Sequence, residues 1–354
     1  MLIHICCSVD SHFFIEMLQK EYPNEKFVGF FYDPNIHPYS EYQLRLKDAK
    51  YSCDILGIEL IEGDYDVNSW LEKVRGLENE PEKGDRCTVC FDDRLEKSAI
   101  LAKKLDEKMF TTTLLVSPKK SQEKLEKIGN ELGVKFGLEF VFKDYRSNNG
   151  PALQSQSVAQ NNLYRQDYCG CMFALSSQRE SQERILDELM SPITRQILPN
   201  SIEWRLEFFK KRDCDSVFFK EQFQNYRIFN AKVSQKNVVL PSYFLWHSQL
   251  IRKSTKCKVI ANKNNIFYAN KDGVKFITIE TFNGLCDTNF ESTKELCFSN
   301  VQIEKEIAAR QKVDKFANSC GVIVVLDEVN LENYDIFIDS KIFNDFMIFD
   351  LEQK

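Results

Sequence analysis

Hydrophobic positions in the first half of the chain alternate between two periods. A short apolar run at residues 2–6 predicts a strand. Phe13, Phe14, Met17 and Leu18 at helical spacing predict a helix over 11–22, broken by Pro23 and Asn24. A second strand is read at 27–32, a helix at 39–56 closed by Gly57, and a third strand at 58–61. After a polar stretch at 79–86 come a helix at 94–105, a strand at 109–114, a helix at 121–132 and a strand signal within 136–142. Strand–helix–strand units joined by short links predict an α/β domain with a parallel sheet and helices on both faces. In such a sheet, ligands bind outside the carboxyl ends of the strands.

The pattern then changes. Residues 147–161 are polar and rich in Gly, Pro and Gln, which reads as a loop. Residues 176–211 read as a mostly helical connector carrying Arg179, Arg184, Arg195, Arg205, Lys210 and Lys211, with Arg212 just beyond. From about 233 onward, strand-like runs at 238–240, 258–260, 266–268, 275–279, 322–326 and 335–338 predict a C-terminal α+β extension. A boundary near 185 divides the chain into a domain of residues 1–185 and an extension of 186–354. No internal repeat is visible.

Charge and composition narrow the partners. The net charge of −6 over 354 residues does not announce a nucleic-acid partner, so RNA binding would need a local basic patch. No apolar run reaches the ~18 residues of a membrane span, and the apolar start lacks a basic leader; a cytoplasmic protein is expected. In that reducing setting the 12 Cys read as metal or redox chemistry. Three pairs are tight in sequence: Cys6–Cys7, Cys87–Cys90 and Cys169–Cys171. The scattered Cys53, Cys214, Cys257, Cys286, Cys297 and Cys320 read as small buried hydrophobes.

Each pair has its own chemistry. Cys6 and Cys7 leave the first strand, and a turn there would let both thiolates converge, with Asp10 adding a hard oxygen ligand. Cys87 and Cys90 form a C-x-x-C ahead of a helix, fitting zinc, an iron–sulfur cluster or a dithiol. Gly170 permits a sharp turn between Cys169 and Cys171, which could bind metal or cycle between dithiol and disulfide. Tyr164, Arg165 and Tyr168 beside them could stack on and pair with a nucleic acid, though packing explains an aromatic equally well. The four His (His4, His12, His37, His247) are too few for a His-rich zinc site. The first strand–helix turn has neither a G-x-G-x-x-G nor a Walker A pattern.

Read together, the motifs resemble the cobalamin-independent epoxyqueuosine reductases. They are His4-Ile5-Cys6-Cys7, the run from Tyr32-Asp33-Pro34 through His37-Pro38 to Glu41-Tyr42, Arg86-Cys87 with Cys90, Thr111-Thr112-Thr113 through Ser117-Pro118-Lys119, and Tyr164-Arg165-Gln166-Asp167-Tyr168-Cys169-Gly170-Cys171. The match covers roughly residues 1–175. The resemblance implies a Rossmann-like (HUP-type) fold and reduction of epoxyqueuosine to queuosine at the tRNA wobble position, the last step of queuosine synthesis. It also implies a [4Fe-4S] cluster. Carried over, Cys6, Cys7, Cys87 and Cys90 are the expected cluster ligands, and Cys169 and Cys171 the redox-active pair. A second, mononuclear iron would suit Asp10 with some of the thiolates. These two schemes assign the thiols differently, and both stay open on sequence. Many members read Cys-Cys-Ala-Pro-Cys at the first motif; here Asp10 takes the third Cys position.

Turning an epoxide into an alkene takes two electrons and two protons and releases water, so an external donor such as a ferredoxin or flavodoxin is expected. Asp10, Tyr32 and Asp33 are candidates for protonation. Lys119, Lys120, Lys143, Arg146 and Arg165, with Tyr164, are candidates for contact with tRNA. Two rivals are an ATP-dependent tRNA thiolation-type enzyme, disfavoured by the missing phosphate loop, and a non-enzymatic zinc module binding RNA or protein.

Overall fold

The structure, a computed structural model, describes residues 1–189, 196–213, 215–316 and 318–351; Arg195 and Cys214 lie outside them. It divides into two compact units, one built mainly from residues 1–189 and 205–218, the other mainly from 219–349.

The first unit opens with β1 (Leu2–Ile5), α1 (Ser8–Glu21), β2 (Val28–Phe31), α2 (Tyr39–Leu56) and β3 (Glu59–Glu62). A short α3 (Val67–Lys73) and the long α4 (Asp85–Lys104) lead to β4 (Met109–Thr112), α5 (Gln122–Phe136) and β5 (Glu139–Phe140). All pairings are parallel, in the order β3-β2-β1-β4-β5. The chain winds outward from β1 to β3, then returns to place β4 on the other side of β1. Right-handed crossovers put α1 and α2 on one face and α4 and α5 on the other; α1 packs on α2, and α4 on α5. Leu2, Ile3, Ile5, Phe31 and Phe110 form the buried floor beneath Phe14, Leu18, Leu95 and Leu125. Each such side chain contributes about 1.5–3 kcal/mol.

Three sequence expectations are corrected here. Residues 147–161, read as a loop, contain α6 (Gly150–Gln160). It docks on α1 through polar contacts, Ser157 Oγ donating to Glu16 at 2.9 Å and Gln154 to Val9 O at 3.2 Å. A helix buried through Gln and Ser shows no apolar period. The C-x-x-C, read as preceding a helix, lies inside α4, which starts at Asp85. The connector is helical only in pieces: α7 (Met172–Ser181), a 3-10 turn at Asp187–Leu189 and α8 (Ile202–Lys210).

The second unit holds β6 (Phe218–Gln235), β7 (Val238–Leu240), β8 (Tyr243–Phe244), β9 (Ser254–Lys263), β10 (Ile266–Ala269) and β11 (Lys275–Thr278), then α9 (Ile279–Cys286), α10 (Thr293–Cys297), α11 (Ile303–Val313), β12 (Ile323–Leu326) and β13 (Asn333–Asp350). The strands form one curled sheet, β7-β6-β13-β9-β10-β11-β12-β8. One core gathers Cys257, Val259, Phe276, Tyr334 and Ile336; the other gathers Tyr243, Ile277, Phe282, Val313 and Val325, with α9 and α11 packed together. Beneath α11, buried Glu306 accepts from Tyr243 Oη at 2.6 Å and the Trp246 N–H at 3.0 Å. Among the described residues no helix is long and apolar enough to cross a membrane.

Candidate functional site

Strand order changes direction between β1 and β4, and a crevice opens at the carboxyl ends of such strands. A pocket of about 170 Å³ lies there, lined in part by Cys6, Asp10, Arg45, Arg94, Lys120 and Cys169. Each element contributes from its end. Cys7 caps α1 in extended conformation, so Cys6 and Cys7 lie in the turn that joins β1 to α1 and Asp10 in the first turn of α1. The Cys6 and Cys7 sulfurs are 3.7 Å apart, and Cys6 Sγ is 3.9 Å from Asp10 Oδ2. One ligand atom from each of these three residues lies within 4.8 Å of the others. Gln154 of α6 donates to the other Asp10 oxygen, Oδ1, at 2.8 Å.

On α4, Cys87 and Cys90 are one turn apart. Cys90 is buried in a cluster with Trp70, Cys169, Cys171 and Ala174, so the second and third pairs share a wall. Two cations face these sulfurs. Arg94 is held in its charged form, against its burial, by Asp33, Cys90 and Cys6. Lys120 is held likewise by Cys169, Cys87 and Cys90. Arg94 and Lys120 thus line the pocket together with Cys6 of the first pair and Cys169 of the third; among the described residues, Cys6, Cys7 and Asp10 alone form a close group of ligand atoms.

Cys169 and Cys171 differ. Cys169 lines the pocket and accepts the Cys171 N–H at 3.4 Å. The Cys171 thiol, Lys120 and Arg45 lower the Cys169 thiol below the ordinary range, against its burial. Cys171 is raised as the proton-bearing partner. Among the described residues every cysteine is a free thiol in this structure. The turn that carries the pair is clamped. His37 N–H donates to Gly170 O at 2.8 Å, Arg45 Nη2 donates to Tyr168 O at 3.0 Å, and Tyr168 Oη donates to His37 O.

Other residues named from sequence are placed unequally. Lys119 and Arg165 are exposed on the pocket rim. Arg146 is half-buried, donating to Lys120 O at 2.9 Å and Leu114 O at 3.4 Å, which braces the loop after β4. The base-stacking role read for Tyr164 does not match its surroundings. The side chain is 3% exposed, its hydroxyl 3.0 Å from Glu41 Oε2 and its ring edge-on to Phe209. Lys143 pairs with Glu21 at 2.6 Å and is not part of the pocket lining. Asp33 is buried against Arg94, its carboxyl pushed up to about 6 by burial.

The residues that sequence reasoning missed are Arg45, Arg94 and Gln154. Arg94 follows Cys90 by four residues and Arg45 follows Glu41 by four, a helical spacing that would have placed each beside a named residue.

The epoxyqueuosine reductase QueH family model matches residues 1–177. The QueH of Helicobacter pylori is 41% identical, covering 97% of this chain and 99% of its own length. This chain belongs to the QueH epoxyqueuosine reductase family. The QueH of Acinetobacter baylyi is 36% identical, over 49% of this chain and 80% of its own length. The second half is therefore shared with the Helicobacter relative, while the Acinetobacter relative matches about half of the chain. Among solved structures, a U34-tRNA thiolase NcsA from Methanococcus maripaludis with its [4Fe-4S] cluster aligns at TM-score 0.35 and 13% identity, over 60% of this chain and 72% of that one, too slight a likeness to transfer any property.

Proposed function

We propose that the pocket at the ends of β1 and β4 is where this QueH-family oxidoreductase reduces epoxyqueuosine to queuosine in tRNA, at the wobble position and as the last step of queuosine synthesis, with iron held by its thiols. The observation that carries this reading is the convergence of Cys6, Asp10 and Cys169 on one pocket wall with Arg45, Arg94 and Lys120. The donor set fits the metal. Paired soft thiolates suit an iron–sulfur cluster, an adjacent carboxylate suits a harder iron, and buried cations offset the negative charge that four thiolates bring. Cys6, Cys7, Cys87 and Cys90 would hold a [4Fe-4S] cluster; Asp10, where other members carry a third Cys, would hold a second iron with part of these thiolates. When bound, the cluster supplies single electrons and the second iron Lewis acidity.

The chain's own residues do the rest. Cys169, facing the pocket, and Cys171 behind it carry two electrons and two protons as a dithiol, the number that epoxide removal consumes as water leaves. Without a second iron, Asp10, whose carboxyl burial favours the protonated form, would instead hold a proton at the pocket wall. Lys119 and Arg165 on the rim suit the phosphates of an anticodon loop whose modified base has left its stack.

Residues 1–185 form the catalytic domain, of Rossmann-like HUP type, and 186–354 an extension. A ferredoxin or flavodoxin would restore the electrons, and the setting is cytoplasmic. The thiolation and zinc-module readings give way to family membership. The test is anoxic purification followed by iron and visible-absorbance measurement and turnover of epoxyqueuosine-containing tRNA. A brown, iron-bearing chain is expected, with colour and turnover both lost in Cys87→Ala/Cys90→Ala. Retained turnover in that variant would sink the assignment.

A further inference from the structure

We propose that Arg94 is a positioning residue for the sulfur centre, its guanidinium the fixed positive charge that bridges Cys6 of the first thiol pair and Cys90 of the second. This rests on the reading of those thiols as ligands.

The geometry runs through α4. Arg94 lies one turn beyond Cys90 and two beyond Cys87, so all three project from the same side of one helix. Its side chain is 3% exposed. Nε donates to His4 Nε2 at 3.4 Å, and His4 stands on β1 two residues before Cys6. His4 is itself fixed, with Nδ1 2.9 Å from Thr112 Oγ1 on β4. Nη2 pairs with Asp33 Oδ1, just past the end of β2. One guanidinium therefore ties α4 to the ends of the first, second and fourth strands, around the sheet edge where the first two thiol pairs emerge.

The charge balance shows what remains for sulfur. One carboxylate neutralises Arg94 on one side. On the other it lines the pocket with Cys6, and Cys90 precedes it by one turn on α4. Burial by itself disfavours a cation. The planar fork of Arg94 also fixes direction, which a Lys point charge does not. Groups placed behind metal ligands in this way typically change metal affinity 10–100-fold when removed.

The test uses the full chain, purified anoxically, with three readouts: iron per chain, midpoint potential by spectroscopic titration, and thermal unfolding of the metal-free protein. In Arg94→Met, iron loading is expected to fall at least ~10-fold, with the residual centre at a more negative potential, because a positive charge near the added electron has been lost. That variant strands Asp33, so Arg94→Met/Asp33→Asn is measured beside it. The double variant is expected to unfold near the wild-type temperature while showing the same loss of iron, with a smaller shift in potential because the Asp33 charge is gone as well. Arg94→Lys is expected to recover the potential better than the loading. A double variant with wild-type loading and potential overturns the role of Arg94 and leaves the iron centre standing. A wild-type chain without iron overturns both.

Discussion

The main-chain N–H of His37 donates to the carbonyl oxygen of Gly170 at 2.8 Å, linking the loop after β2 to the turn between Cys169 and Cys171. That turn needs Gly170: its φ is 104°, and a Cβ there would sit 2.7 Å from Ile36 Cγ1 and 3.2 Å from Ile36 Cα. Gly170→Ala is expected to cost about 1–3 kcal/mol in strain, read as a lower denaturation midpoint, and to reduce turnover at least ~10-fold because reacting groups displaced by about 1 Å lose roughly that or more. Wild-type turnover in this variant would show that the clamp on the third thiol pair is dispensable.

Asp48 sets the entry of α1. It is buried and takes three donors: Ser8 Oγ, the Tyr164 N–H at 2.9 Å and Arg212 Nη1. Asp48→Ala strands the Arg212 guanidinium, itself 3% exposed. Breaking a buried pair from one side costs about 3–5 kcal/mol. Urea unfolding of the whole chain measures it, and a loss below ~1 kcal/mol would contradict the account.

Gln154 orients Asp10. Its amide donates to Asp10 Oδ1 at 2.8 Å and to Val9 O at 3.2 Å. Gln154→Leu keeps the bulk and removes both bonds. Iron per chain is expected to drop about 10-fold while α1 and α6 keep their helical signal. Unchanged iron content would mean that Asp10 needs no such support.

Glu306 makes the second unit sensitive to pH. It is 1% exposed, and burial pushes its carboxyl up to about 7, opposed by its bonds from Tyr243, Trp246 and Gln196. The folded state thus holds a proton that the unfolded chain releases at its ordinary value of about 4.3. The stabilisation from that proton is complete below about 4.3 and is lost as pH rises through 7, amounting to about 3 kcal/mol. Glu306→Gln should flatten that part of the profile. Thermal midpoints of wild type and variant between pH 4.5 and 8 decide; parallel curves would refute it.

Much of the first unit was legible because β1 and β2 are short, mostly apolar runs and helices end at recognisable residues such as Gly57, in αL conformation. The cysteines were legible because three pairs of thiols stand close together in sequence, a spacing that suits metal or redox chemistry. What escaped was polar burial. α6 enters the core through Gln154 and Ser157, and neither residue looks inward-facing in sequence. Arg45 pairs with Glu41 one turn back on its own helix, and only the fold brings Asp33 against Arg94. Tyr164 failed in the opposite sense, since an aromatic next to Arg165 fits a binding face and a packed core equally well. In the second unit, α9, α10 and α11 are short and interrupted between strands, so strand-like runs dominated the pattern.

The placement of Cys87 and Cys90 within α4 would also limit how large a centre they could grip if they are ligands, as proposed. On a loop, two thiols can spread or close to suit the guest. On a continuous helix, side chains three residues apart stay about 5–6 Å from each other at Cβ, and the backbone hydrogen bonds resist any change. The helix acts as a caliper, and an ion or cluster whose faces do not match that opening is rejected by the main chain before any side chain can adapt.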